Sequence, residues 1–117
     1  MKCFAAALAV LLMPFAAVAE PNYRAMVAEA ISSQLFDPFS VKKAMATPPT
    51  KYSNGAIAMC VTFYAKNRSG GYGGKLIWSA VFSKDGSRLK FAHDVTGMGS
   101  SCENAAGYTP FKELENF

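Results

Sequence analysis

The sequence has few of the residues that catalytic and metal sites need. It contains one histidine, His93, and three cysteines without a C-x-x-C pair, which argues against a zinc site and a redox-active cysteine pair. His93 and Asp94 are neighbours, but neighbouring strand residues point to opposite faces, so they do not pair as a catalytic base and its carboxylate must. Ser100 and Ser101 lie in Gly-Met-Gly-Ser-Ser, which is not the G-x-S-x-G pattern of a serine nucleophile. We therefore predict no catalytic residue, no metal site and no cofactor.

The chain lacks any long apolar run after its first one. Residues 4–18 carry no charge, Lys2 precedes them, and Ala17-Val18-Ala19 follows as a small-x-small end. A positive start, an apolar core of about 7–15 residues and an A-x-A end are typical of a cleaved secretory signal. An uncleaved membrane anchor is the alternative, although a transmembrane helix needs about 20 apolar residues. We predict a signal peptide over 1–19, a periplasmic or secreted product, and no transmembrane anchor after cleavage.

The predicted mature chain, 20–117, has the length of a single domain. Removing residues 1–19 takes away Lys2 and Cys3, which leaves a net charge of +3 and two cysteines, Cys60 and Cys102. An even pair in an oxidising compartment is expected to bond, and small exported domains often need such a bond because their cores are thin. We predict a Cys60–Cys102 disulfide; free or catalytic thiols are the alternative.

Residues 23–35 show the spacing of an amphipathic helix, with apolar side chains every three or four residues. Pro21 suits a first helical turn, and Glu20 or Asn22 can cap it. Asp37-Pro38 ends the pattern, because a residue before proline resists the helical conformation. The apolar stripe, which we expect to pack on a sheet, consists of Tyr23, Met26, Val27, Ala30, Ile31 and Leu35.

Three segments in the middle of the chain alternate as antiparallel strands do. They are 55–65, 75–83 and 88–95, and Asp85-Gly86 between the last two is typical of a tight hairpin. Residues 40–47 predict either a short edge strand, blunted by Lys42 and Lys43, or an extension of the helical region. The predicted fold is α+β, with an N-terminal amphipathic helix packed on a three- to four-stranded antiparallel meander.

The alternation also predicts which strand residues share a face. In the first strand, the larger side chains at 57, 59, 61 and 63 are expected to meet the helix, and Cys60 is expected on the opposite face. In the third strand, Leu89, Phe91 and His93 are expected on one face. A disulfide to Cys102 would then draw the C-terminal segment, itself irregular or a short helix near residue 110, over the second face of the sheet.

The loop over residues 66–75 is the most unusual stretch of the chain. Four glycines bracket one tyrosine, and cations stand at three positions. As a binding loop it would offer close backbone approach, a stacking ring and attraction for an anion. As a plain hairpin connection it would use glycine for left-handed backbone and pack its tyrosine back onto the domain. The candidate contact residues are Lys66, Asn67, Arg68, Gly71, Tyr72 and Lys75.

Two segments give the chain a resemblance to known sequences. The chain resembles a group of small exported or lipid-anchored proteobacterial proteins of unknown function in Asp37-Pro38-Phe39-Ser40-Val41, then Cys60, then Ala65-Lys66-Asn67 with Gly70-Gly71-Tyr72 and Gly74. That group has a DPxS segment, a cysteine strand and an NAKNxxGGYxG-like loop, and the resemblance covers about residues 30–82. This chain departs from the group at Tyr64, where the group has asparagine. The resemblance implies an exported α+β domain without a mechanism, and it points to Asn67 and Tyr72 as special positions.

Basic residues outnumber acidic ones in the middle of the chain, although the net charge of +3 after cleavage is modest. An envelope protein or an anionic surface is the expected partner, and a merely solvated basic face is the alternative. Nucleic acid is not expected in this compartment at this charge. We predict a small exported non-enzymatic binding or accessory domain of the cell envelope. The alternatives are a structural subunit of an envelope assembly, joined through a sheet edge near Lys42, and an enzyme whose chemistry the sequence does not reveal.

Overall fold

The computed structural model describes residues 22–116, so the predicted signal peptide lies outside the described residues. Within this range the chain forms two α-helices, α1 (Tyr23–Ser32) and α2 (Lys112–Glu115). Two 3₁₀ turns span Pro38–Ser40 and Ser101–Asn104. The strands are β1 (Lys42–Ala46), β2 (Thr50–Lys51), β3 (Ile57–Tyr64), β4 (Leu76–Phe82), β5 (Leu89–Asp94) and β6 (Thr109–Pro110). The α+β class is thereby confirmed.

Helix α1 begins directly after Asn22, one of the two predicted capping residues, and ends earlier than predicted. The Asn22 side chain accepts a hydrogen bond from the Ala25 N–H at 3.1 Å, as a helix cap does. The helix ends at Ser32 rather than at Leu35. Asp37 instead opens the 3₁₀ turn that follows, and its side chain accepts from the Phe39 N–H. The predicted N-terminal position of the helix is wrong, because α1 begins only at the twenty-third residue of the chain.

The sheet has six antiparallel strands rather than three or four, in the order β5-β4-β3-β1-β6 with β2 paired to β3. The segment near Lys42 does form a strand, but β1 lies between β3 and β6 and is not the edge. The backbone N–H and carbonyl of Ala44 in β1 are also hydrogen-bonded to the C-terminal segment. The Ala44 N–H donates to the Glu115 carboxylate at 3.0 Å, and the Ala44 carbonyl accepts from the Phe111 N–H at 2.7 Å. The predicted contact edge near Lys42 is therefore covered by the C-terminal segment.

Strand β3 keeps the predicted alternation. Met59, Val61 and Phe63 are buried in the main core with α1 residues such as Ile31. Cys60 lies on the opposite face, in a second and smaller cluster. The period of two is preserved because one face of this central strand must stay buried.

Strand β5 breaks the alternation through a bulge. Val81 of β4 pairs with Phe91, whereas the next residue, Phe82, pairs with Leu89. The extra residue on β5 turns Leu89 toward the main core and leaves Phe91 exposed on the other face, stacked on His93 at 4.9 Å. Phe91 and His93 thus share a face as predicted, whereas the prediction is wrong for Leu89, which lies on the opposite face.

The predicted disulfide joins Cys60 to Cys102, with their Cα atoms 5.4 Å apart. Around it, Val95 is buried and Ile77 and Tyr108 are partly buried. The Tyr108 hydroxyl donates to the Cys102 carbonyl at 2.9 Å. The C-terminal segment thus covers part of the second face of the sheet. Among residues 22–116, no helix is long and apolar enough to cross a bilayer.

The C-terminal segment then reaches the main core. Phe111 and Leu114 are fully buried there. Both Nε and Nη2 of Arg24 on α1 pair with the Glu113 carboxylate, and Nη2 also donates to the Pro110 carbonyl at 2.7 Å. The Arg24 guanidinium lies 5.0 Å from the centre of the Phe111 ring. These contacts join the first and last helices of the described chain.

Three carboxylates make the stability of this fold sensitive to acid. Hydrogen bonding from Arg24 lowers the pKa of Glu113 below its ordinary value of 4.5, and the Ala44 N–H does the same to the pKa of Glu115. Hydrogen bonds from Ser83 and Ser87 lower the pKa of Asp85 from 3.8 to about 2. A carboxyl group whose pKa is lower in the folded state contributes stability above its unfolded pKa and loses it as the pH falls through the folded pKa.

We therefore expect the free energy of unfolding to be level between about pH 5.5 and about pH 8 and to fall between about pH 5 and about pH 2. Glu113→Gln should lower it by about 1 kcal/mol at neutral pH, because the pair is bidentate but partly exposed, and should make the acid-side fall shallower. Urea midpoints over a pH series measure both effects. Glu29→Gln, an exposed change on α1, is the control. Parallel pH profiles for Glu113→Gln and the unmodified protein would contradict the assignment.

Candidate binding site at the glycine-rich loop

Asn67 organises the predicted contact loop. Its N–H donates to the Gly71 carbonyl and its own carbonyl accepts from the Gly70 N–H, each at 2.9 Å. Its side-chain oxygen accepts from the Ser69 N–H at 3.0 Å. Gly70 has a φ of +83°, a left-handed conformation that suits glycine. Asn67 is thus special for a structural reason, since it closes the turn from which the neighbouring cations project.

Tyr72 packs back on the segment that follows α1. Its hydroxyl donates to the Ser40 carbonyl at 2.8 Å, and the Lys66 N–H donates to Ser40 Oγ at 2.8 Å. The Lys42 ammonium lies 3.9 Å from the centre of the Tyr72 ring, in the range of a cation–π contact. The ring nevertheless remains 39% exposed. The loop and the Asp37–Ser40 segment, far apart in sequence, therefore form one continuous surface.

Two phenylalanines project from this surface. Phe36 is 60% exposed and Phe39 is 77% exposed. The Arg68 guanidinium lies 5.6 Å from the centre of the Phe36 ring. We call the group Phe36, Phe39, Lys42, Arg68 and Tyr72 the aromatic–cationic surface. Sequence reasoning missed both phenylalanines, although they flank Asp37-Pro38 after the end of the helix, where no helical face can bury them.

Behind the surface is a cavity of about 320 Å³. Lys66, Asn67 and Arg68 line it, together with the backbone of Gly73 and Gly74. The structure thus brings three of the six predicted contact residues to one cavity. Of the others, Gly71 and Tyr72 hold the loop, and Lys75 is exposed beyond it.

The inner wall of the cavity is formed by side chains of the sheet and of the segment after α1. Leu35 and Leu76 are half-buried, and Trp78 is only 6% exposed. The Trp78 indole N–H is buried and has no hydrogen-bond acceptor among residues 22–116. Asp94 also borders the cavity, where its carboxylate accepts from the Thr96 N–H at 2.8 Å. The site therefore combines an apolar floor with exposed cations.

His93 and the two serines do not come together in a catalytic arrangement. His93 stacks on Phe91, while the Asp94 carboxylate is engaged by Thr96. The Ser100 hydroxyl is buried and has no hydrogen-bond partner in the described part of the chain. In residues 22–116, no group of three or more histidine, cysteine, aspartate or glutamate side chains is arranged to hold a metal ion.

Comparison of the chain with family models, curated proteins and solved structures found no match. The resemblance to small exported proteobacterial proteins therefore stays a prediction. The two segments that carry it, around residues 37–40 and 65–74, meet at Ser40 in the structure.

Proposed function

We propose that this protein is a small exported, non-enzymatic binding module of the cell envelope that contacts an anionic membrane surface. The observation that carries the proposal is the exposure of Phe36 and Phe39 in one short segment, where Arg68 lies over the Phe36 ring and Lys42 lies over the nearby Tyr72 ring. Clustered exposed apolar side chains with a polar surround mark interaction sites on small domains.

The aromatic–cationic surface suits the boundary between lipid headgroups and water. Aromatic rings partition into this boundary, and each lysine or arginine near an anionic membrane adds about 1 kcal/mol of attraction. Arg68 and Lys42 lie against aromatic rings, so charge and apolar area are presented together. A disulfide supports an oxidising compartment, and periplasmic or secreted location is part of the proposal.

The alternative function, a structural subunit of an envelope assembly, required a free sheet edge near Lys42 as its contact, and this edge is not free. There β1 is covered by β6, Phe111 and Glu115. At the opposite end of the sheet, β5 is the edge strand, and the Gln34 side chain donates to one of its carbonyls, that of Ala92, at 3.1 Å.

Co-sedimentation of the purified protein with lipid vesicles tests the proposal. We expect binding to vesicles of phosphatidylglycerol and phosphatidylethanolamine in equal parts, weakening as salt screens the charges, and little binding to phosphatidylcholine alone. The double variant Phe36→Ser, Phe39→Ser should bind at least about tenfold more weakly, because two rings lose apolar burial.

Met98→Ser is the matched control, because Met98 is also highly exposed but lies in the turn after β5. Its affinity should stay within about twofold of the unmodified protein. Equal binding to neutral and anionic vesicles, or an unaltered affinity of the double phenylalanine variant, would overturn the proposal.

A further inference from the structure

Strand β5 is an unpaired edge of the sheet. It pairs with β4 on one side, and no strand within residues 22–116 lies on its other side. The sheet ends differently beyond β1, because the strand there, β6, has only two residues. An exposed edge strand is a template for a further strand, and strand addition at such an edge is a common mode of protein association.

Alternate backbone groups of β5 point away from β4. The Val95 N–H donates to the Ile77 carbonyl at 2.8 Å, and the direction of these groups alternates along an antiparallel strand. The backbone groups of Ala92 and Asp94 therefore point outward. The Ala92 carbonyl agrees with this direction, since it accepts from the Gln34 side chain at 3.1 Å. The Ala92 N–H and both Asp94 groups thus face the side on which the described chain has no strand.

The sequence of β5 is complementary to itself about Ala92. It reads Leu-Lys-Phe-Ala-His-Asp over residues 89–94. If two copies of the strand pair antiparallel with the two Ala92 residues opposite each other, Lys90 of each copy lies opposite Asp94 of the other. Phe91 of each copy then lies opposite His93 of the other. Opposite charges and aromatic rings placed directly across two strands both stabilise the pair.

Other registers lack this complementarity. Shifting one copy so that the two Lys90 residues lie opposite each other places like charges together, and the same holds for the two Asp94 residues. Like charges directly across two strands destabilise their pairing. Shifting by a single residue would instead turn the outward backbone groups of one copy away from those of the other. The charges of β5 therefore favour one register.

The side chains needed for this register are free to make it. Lys90 and Asp94 are exposed, and neither forms an ion pair in the part of the chain that the structure describes. The Thr96 N–H donates to only one oxygen of the Asp94 carboxylate, Oδ1. Phe91 is 45% exposed and stacks on His93 of its own strand, so each copy presents a ready aromatic pair.

We propose that two copies of this chain form a symmetric dimer through antiparallel pairing of their β5 strands. Lys90 of each copy pairs with Asp94 of the other, and the two Phe91–His93 stacks meet on one face of the joined sheet. Pairing uses the β5 edge of both copies, so it stops at the dimer. Six residues a side are fewer than the roughly 20–30 of a stable complex, so we expect a dissociation constant of about 0.1–1 mM.

Sedimentation equilibrium of the purified, disulfide-bonded protein over about 0.01–1 mM tests the dimer. The average mass should rise from that of one chain toward that of two and not beyond. Lys90→Asp and Asp94→Lys should each weaken association at least about tenfold, because each places like charges opposite each other twice. Lys51→Asp makes the same charge change as Lys90→Asp on β2, away from β5, and should alter association by less than about twofold.

Mixing the two charge variants gives the decisive result. An equimolar mixture of Lys90→Asp and Asp94→Lys should associate within about threefold of the unmodified protein, because each copy supplies the charges that the other lacks. Loss of a structural role within one chain cannot produce this recovery. The proposal is overturned if the unmodified protein stays monomeric throughout the range, if it forms larger oligomers, or if the mixture associates no better than its components.

Two further measurements do not depend on whether Asp94→Lys folds. In the unmodified protein labelled with ¹⁵N, the Ala92 and Asp94 amide resonances should move with protein concentration, and fixed positions would contradict pairing at this edge. Gln34→Ala frees the Ala92 carbonyl and should tighten association about two- to fivefold, whereas weaker association would contradict it.

This inference does not rest on the proposed membrane contact. The double variant Phe36→Ser, Phe39→Ser should dimerise as the unmodified protein does, because neither residue belongs to β5. Dimerisation without vesicle binding would refute the membrane contact alone, and vesicle binding by a protein that stays monomeric would refute the dimer alone.

Discussion

Replacing Phe111 by alanine is expected to lower the free energy of unfolding by about 3–5 kcal/mol. The side chain is fully buried in the main core. Its removal would leave a cavity between the C-terminal segment and α1, and the Arg24 guanidinium would lose the ring beneath it. A domain of this size has a total stability of about 5–15 kcal/mol, so the loss is a large share.

Urea unfolding followed by Trp78 fluorescence measures this effect. Phe39→Ala is the matched control, because it removes the same atoms from a side chain that is 77% exposed. That variant should change the free energy of unfolding by less than about 0.5 kcal/mol. If the two variants unfolded at the same urea concentration, Phe111 would not belong to the core of the folded protein.

Removing the disulfide is expected to lower stability by about 4 kcal/mol. The bond closes a loop with a sequence separation of 42 residues, and a closure of that length restricts the unfolded chain by about this amount. The double variant Cys60→Ala, Cys102→Ala should show the full loss. Any weakening of the contacts around Val95 and Tyr108, which pack against the bond, would lower the stability further.

The reductant response provides the control for this second prediction. Dithiothreitol should lower the urea midpoint of the unmodified protein toward that of the double alanine variant, and it should leave the variant unchanged. A midpoint for the variant equal to that of the oxidised protein would show that the C-terminal segment holds its place without the bond.

Sequence patterns over a few neighbouring residues predicted helix α1 and the three central strands, because the burial of one face leaves a periodic pattern in the sequence. The alternation of β3 survives in the structure because a period of two decides which face is buried. The bond between Cys60 and Cys102 was predicted from the even number of cysteines after the predicted cleavage and from the predicted oxidising compartment. The bulge in β5 was not predictable in this way, since it depends on how Val81 and Phe82 of the neighbouring strand pair with it. Strands β2 and β6 have two residues each, too few to show any period.

The candidate site was predictable only in part, for the same reason. Glycines and cations marked the loop over residues 66–75, and the resemblance to small exported proteins pointed to Asn67 and Tyr72 within it. The contacts of that loop with Ser40 join residues 26 and 32 positions apart, and no local pattern encodes such a distance. The cavity also needs Trp78, which the alternation of β4 places toward the main core but does not associate with the loop.

The buried positions of Phe111 and Leu114 have a consequence for when this protein can fold. These residues are among the last that the ribosome adds to the described chain. Until they are present, the core side chains of α1 have no partner from the C-terminal segment. A growing chain therefore cannot complete this core before Leu114 has been synthesised. Under the export that we propose, this late closure would leave the chain unfolded during transport, and the Cys60–Cys102 bond would form only after the chain has crossed the membrane.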